Sequence, residues 1–100
     1  MADIRITSNM LRVLRVLLSH LDGEHYAFDL SKSARVNVGT IYALLTRLEQ
    51  QGMVRSDLED IDAAAAGRPP RRYYRLTSSG IRFAEQALRQ ELDLLGGNHA

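Results

Sequence analysis

Between Val36 and Val54 the chain reads VNVGTIYALLTRLEQQGMV, with Ile41, Leu44, Leu45 and Leu48 at i, i+3, i+4 and i+7. That spacing is one apolar stripe of an α-helix with about 3.6 residues per turn. Stepping about 100° per residue, the opposite side is centred on Gly39, Ala43 and Gln50, with Thr40, Tyr42, Thr46 and Arg47 along its edges. A helix that only had to be soluble would carry Lys and Glu there. This one presents a low centre flanked by hydrogen-bonding groups and one Arg, a face that can lie close against another surface. Asn37 is placed to cap the helix and Gly52 to end it. The reading is a short, well-delimited helix that enters the DNA major groove.

Two shorter helices precede it. Thr7 or Ser8 can cap a first helix running to about His20 or Leu21, with Met10, Leu14, Leu17, Leu18 and Leu21 on its core side and Leu11, Val13 and Val16 widening the stripe. A helix apolar over so much of its circumference must be covered on more than one side, by its own domain or by a second subunit. Asp22-Gly23 turns the chain. A second helix from about Tyr26 to Ser33 takes Phe28 and Leu30 as anchors, and the tight link Ala34-Arg35-Val36 completes a helix-turn-helix.

After Gly52 the period changes. Met53 to Glu59 reads as a strand with Val54 and Leu58 on one face, and Arg72 to Leu76 as another with Tyr74 and Leu76 on one face. Their connection, Asp60 to Arg71, is longer than a hairpin turn needs. Its AAAAGRPP composition predicts an extended, adaptable arm, disordered in the free protein. Thr77 supplies a cap for a last helix from about Ser78 to Leu95, stopped by Gly96 and Gly97. Along it Ile81, Ala84, Leu88, Leu92 and Leu95 follow the steps of a coiled-coil seam. At about 1.5 Å per residue that helix is roughly 27 Å long, more than a small three-helix core can cover alone. It is expected to pack against a partner subunit; the alternative is that the stripe faces its own domain.

Composition narrows the function classes. One hundred residues, 45% hydrophobic and 25% charged, fit a single core. The longest mainly apolar stretch, Met10 to Leu21, is interrupted by Arg12, Arg15, Ser19 and His20, so neither a signal peptide nor a membrane span is expected and the cytoplasm is the expected compartment. The chain has no cysteine, which removes disulfides, thiol catalysis and thiolate zinc sites together. His20, His25 and His99 have no metal-ligand spacing, and there is neither a phosphate-binding glycine loop nor a nucleophile setting around Ser31, Ser33 or Ser56, so no enzyme, cofactor or metal is expected. Net charge is only +1, but it is unevenly placed. Asp57, Glu59, Asp60 and Asp62 form an acidic run, and Arg68, Arg71, Arg72 and Arg75 a basic one.

With that order of elements in hand, VGTIYALLTRLEQQGMV (Val38 to Val54) and GRPPRRYYRLTSSG (Gly67 to Gly80) resemble the PadR-type winged helix-turn-helix transcriptional regulators, with a weaker echo in YAFDL (Tyr26 to Leu30). The resemblance covers most of residues 8–90 and fits the short form with a single helix after the wing. It implies a mainly α fold with a small β-hairpin: a winged helix-turn-helix DNA-binding domain over residues 1–76, its wing at about 60–71, a C-terminal dimerisation helix at 77–95 and a frayed tail at 96–100. The implied function is a homodimeric, sequence-specific regulator, a repressor, reading an inverted-repeat operator in double-stranded DNA. Family members of this size can hold small apolar effectors between subunits.

The candidate DNA-binding residues are Asn37, Gly39, Thr40, Tyr42, Ala43, Thr46 and Arg47, with Arg68, Arg71 and Arg72 in the wing. Thr46 and Arg47 are read as base or near-base contacts, and Tyr42 as a contact to phosphate or a thymine methyl. For Tyr42 packing on the wing or first helix is the alternative, and for the arginines a solvated position. Arg75 is equally a sheet-surface residue. Asp60 and Asp62 are expected to face away from DNA or to pair with the wing arginines. The candidate dimer interface comprises Leu11, Leu14 and Leu18 of the first helix with Ile81, Ala84, Leu88, Leu92 and Leu95 of the last. The chain departs from the family at Arg35, where a glycine is common, and at Phe28, where tyrosine is frequent. A left-handed backbone at Arg35 would cost about 1 kcal/mol; the alternatives are a different turn or a role for Arg35, such as a phosphate contact at the groove edge. The rival functions are a winged helix used for protein contacts and an architectural or phage-control DNA-binding protein.

Overall fold

A computed structural model of the chain describes residues 4–94. Its elements, in chain order, are α1 (Ser8–Ser19), β1 (His25–Tyr26), α2 (Ala27–Ala34), α3 (Val38–Gln50), β2 (Val54–Leu58), α4 (Ala63–Ala66), β3 (Arg72–Leu76) and α5 (Ser78–Leu92). Three strands form one antiparallel sheet in the order β1-β3-β2, with Val54 opposite Leu76 and Leu58 opposite Arg72.

The helix starts follow local chemistry. Thr7 accepts from the Met10 amide, Asn37 from Gly39 and Thr77 from Gly80, so each orphan first turn has a side-chain acceptor. The end of α3 is a left-handed closure: Gly52 at φ 74° donates to the Glu49 carbonyl, and Met53 to that of Leu48. Arg35 closes α2 in the same way at φ 58°, ψ 49°, so the turn is kept and a side chain occupies a position that costs about 1 kcal/mol without glycine.

The core is the expected α3 stripe, Ile41, Leu44, Leu45 and Leu48, packed with Met10, Val13, Leu14 and Leu17 of α1, Leu30 of α2, Val54, Tyr74 and Leu76 of the sheet, and Ala84 and Ala87 of α5. Gly80 allows α5 to pass under the sheet, since a Cβ there would lie 1.8 Å from the Met53 carbonyl oxygen. Beside it the Thr77 amide donates to that same carbonyl at 2.9 Å, and the Thr77 hydroxyl to the Gly52 carbonyl at 2.6 Å.

Several expectations are corrected. Tyr26 does not open the second helix: with His25 it forms a two-residue strand on the edge of β3, and α2 starts at Ala27. Phe28 is no core anchor but 60% exposed, and Leu21 and Leu58 also stand in solvent. The arm is not simply extended, because Asp62 caps the single helical turn of α4 and Gly67 ends it at φ 71°. Leu14 and Ala84 are wholly buried inside one chain, so neither has surface to offer a partner. Leu95 and the tail 96–100 lie outside the described residues. No helix among the described residues is long and apolar enough to cross a membrane.

Candidate nucleic-acid interface

The outer face of α3 carries polar groups that the fold leaves unused. Tyr42, Ala43, Thr46 and Arg47 are exposed and Thr40 is half-buried. Among the described residues the side chains of Tyr42, Thr46 and Arg47 have no hydrogen-bond partner or ion pair, whereas the apolar stripe behind them is sealed in the core. Asn37 is partly committed: its Oδ1 accepts from the Gly39 amide at 2.8 Å, and its NH₂ has no partner among the described residues. A Cβ on Gly39 would come within 3.1 Å of that oxygen, so glycine both keeps the cap and lets the helix approach a surface closely.

The wing arginines are differently placed. Glu59, whose side chain is 9% exposed, accepts from Arg68 Nη1 at 2.6 Å and from Arg71 Nη2 at 3.3 Å. These two guanidiniums hold its carboxyl well below the usual carboxylate range, Arg68 contributing most, and Glu59 in turn raises both arginines. Tyr26 closes the cluster. Its ring lies under the Arg71 guanidinium at 4.0 Å, and its single hydroxyl proton is shared between Glu24 at 2.8 Å and Glu59 at 3.1 Å. Burial, followed by these carboxylate contacts, pushes the Tyr26 phenol up to about 12. The arginine partner is thus Glu59; Asp62 serves as the α4 cap. The sequence showed the acidic run but not which member turns inward.

Arg72 is tied elsewhere. It donates to Ser56 Oγ at 3.0 Å, and Ser56 donates to Glu49 near the end of α3 at 2.8 Å, linking β3 through β2 to α3. Arg75 anchors the turn after α1 by donating to the Asp22 and Gly23 carbonyls; it is a structural residue of the sheet.

A cleft of about 250 Å³ joins the two halves of the surface, with Phe28 and Asp29 of α2, Tyr42 of α3, and Arg71, Arg72 and Tyr74 on its walls. Phe28 is thus a surface aromatic beside Tyr42, held under the Lys32 ammonium at 4.5 Å. Its apolar type misleads: stepping about 100° per residue, the buried Ala27, Leu30 and Ala34 form one stripe of α2 and Phe28 falls well off it. Among the described residues no group of three or more His, Cys, Asp or Glu side chains is arranged to hold a metal.

A helix pair at a tight turn, a following hairpin whose tip carries arginines, and a free polar face on the second helix of the pair define a winged helix-turn-helix protein. Solved structures agree on the fold. A mutant of Staphylococcus aureus MepR bound to an oligodeoxyribonucleotide superposes with a TM-score of 0.69 at 22% identity, over 95% of this chain and 66% of that one. A mutant of Lactococcus lactis ZitR gives 0.69 at 14% identity, over 97% and 60%. AF1382 from Archaeoglobus fulgidus gives 0.70 at 16%, over 91% of both chains. This chain therefore spans just under two-thirds of the MepR chain and less of ZitR. No curated protein sequence matches it. The model of the transcriptional regulator PadR-like family matches residues 17–86, and the chain belongs to that family.

Proposed function

We propose that the protein acts as a homodimer, reads an inverted-repeat operator through paired α3 helices, and represses transcription from it. The observation that carries this reading is the α3 face itself: Tyr42, Thr46 and Arg47 are exposed donors with no partner among the described residues, next to a wing whose cations are held in fixed positions. Base edges in the major groove offer the acceptors such a face lacks, while wing arginines set register on phosphates. A two-fold axis between subunits requires operator halves about one helical turn apart.

Supporting the dimer, Leu18, Leu88 and Leu92 line an open groove of about 390 Å³ between α1 and α5, and Leu92 is 68% exposed. Leu11 and Ile81 are only half-buried and border the same helices. We assign this groove to the partner's terminal helix; a small apolar effector would share it. The experiment is selection of bound fragments from a random duplex pool together with measurement of mass in solution. A palindromic consensus bound by two subunits is the expected result. A monomer, or a pool that never enriches, counts against the proposal.

A further inference from the structure

A second basic surface lies away from the wing. Arg12 and Arg15 of α1 and Arg35 of the α2–α3 turn line a cleft of about 340 Å³ together with Val16, Ser33 and Ala34. Arg15 is paired with Glu91 at 2.7 Å. Arg12 and Arg35 have neither an acidic partner nor a hydrogen bond among the described residues, and both are exposed. Like charges from two separate elements therefore converge, and among the described residues no anion balances Arg12 and Arg35.

An independent observation falls on the same residue. Three described positions have positive φ; two are glycines, Gly52 and Gly67, and the third is Arg35. A cation at the end of α2 gains from the helix dipole, but an Arg in the last helical turn would gain as much without a left-handed backbone. Strain of this kind persists where the side chain is held to a task. Arg35 also stands two residues before Asn37, the cap of α3, at the end of the recognition helix that would enter the groove first.

We propose that this cleft holds a phosphate-type oxyanion, and that the oxyanion is a DNA backbone phosphate at the lip of the groove entered by α3, bound by Arg35 and Arg12 with the Ser33 hydroxyl beside them. The inference rests on the DNA reading above.

The test uses the full chain with Arg35→Gly, Arg12→Ala and Arg35→Lys. Arg35→Gly relieves the backbone and removes the charge, so it folds at least as well as the parent. It should raise the thermal midpoint while weakening duplex binding roughly 5- to 10-fold at low salt and lowering the slope of log K against log salt by about 0.9, as for one lost phosphate contact. Arg12→Ala should lower the slope similarly, and Arg35→Lys should keep most of it. A second arm measures thermal midpoints in inorganic phosphate against chloride at equal ionic strength. A phosphate-specific rise lost in Arg35→Gly, with duplex binding unchanged, would retain the oxyanion site but overturn DNA as its source. Unchanged duplex affinity and slope with no phosphate effect would overturn the proposal outright. Parent protein that binds no duplex at any salt would instead reject the DNA reading, while the phosphate arm still judges the cleft.

Discussion

Beyond their side-chain ion pair, Glu59 and Arg71 hold each other through backbone groups: the Glu59 amide donates to the Arg71 carbonyl at 2.9 Å, and the Arg71 amide donates back to Glu59 Oε1 at 2.8 Å. The second bond replaces with a side chain what a regular ladder would make with backbone. The wing is therefore closed by a carboxylate, and the same carboxylate positions Arg68 and Arg71. Replacing Glu59 with Gln removes the charge but keeps the shape. Amides of residues 60–71 should then exchange several-fold faster, while those of α3 are unaffected. Equal protection in both proteins would show that the carboxylate does not close the wing.

Acid should open the same latch. The folded carboxyl of Glu59 lies below its value in the unfolded chain, about 4.5, because the Arg68 and Arg71 guanidiniums favour its charged form. Its contribution is complete above that unfolded value and is lost as pH falls below it through the folded one. Hydrogen exchange or wing resonances followed from pH 6 downward should show the wing intact past pH 4.5 in the parent, with this acid dependence absent in Glu59→Gln.

Base should act on Tyr26. Its phenol is raised from 10.0 to about 12, so the neutral form is favoured by folding. That contribution is full below pH 10 and declines as pH rises toward 12. In a titration of tyrosinate absorbance, Tyr26→Phe should remove a high-pH step. Loss of a step at ordinary pH instead would contradict the burial described for this hydroxyl.

Gly80 is fixed by sterics. With the Met53 carbonyl oxygen 1.8 Å from an added Cβ, Gly80→Ala must push α5 away from the sheet and should destabilise by about 3 kcal/mol. Denaturant unfolding measures this; a loss under about 0.5 kcal/mol would mean that the helix is not seated as described.

Arg35→Gly should do the opposite. Removing the left-handed strain should stabilise by about 1 kcal/mol, a rise of roughly 4–8 °C in the thermal midpoint for a chain of this size. A lower midpoint would show that the Arg35 side chain contributes more to the fold than its backbone conformation costs.

These cases also show what could be read from the chain alone. The α3 stripe, the caps Thr7, Asn37 and Thr77, and the strand Arg72–Leu76 depend on neighbours within a turn or two, so their signals are local. The strand His25–Tyr26 exists only because β3, far along the chain, pairs with it. Glu59 is one of four acids in its run, and only the return of Arg68 and Arg71 selects it. Gly80 looks like an indifferent helix residue until the Met53 carbonyl is above it. Phe28 reads as core because it is apolar; its exposure follows from the orientation of α2. For the candidate site, the free face of α3 was legible as composition, whereas the clustering of the wing arginines on one carboxylate was not.

The central claim, that α3 reads base edges while the wing and its neighbours hold phosphates, is tested most directly by the ratio of affinities for a selected duplex and a scrambled one. The measurement is made with the parent, Arg47→Ala and Arg72→Ala. Arg47→Ala should shrink that ratio by roughly 10- to 100-fold, the value of about 1–3 kcal/mol for a base contact. Arg72→Ala should weaken both duplexes alike and flatten the salt response. An unchanged ratio in Arg47→Ala, with both duplexes losing affinity equally, would contradict the account.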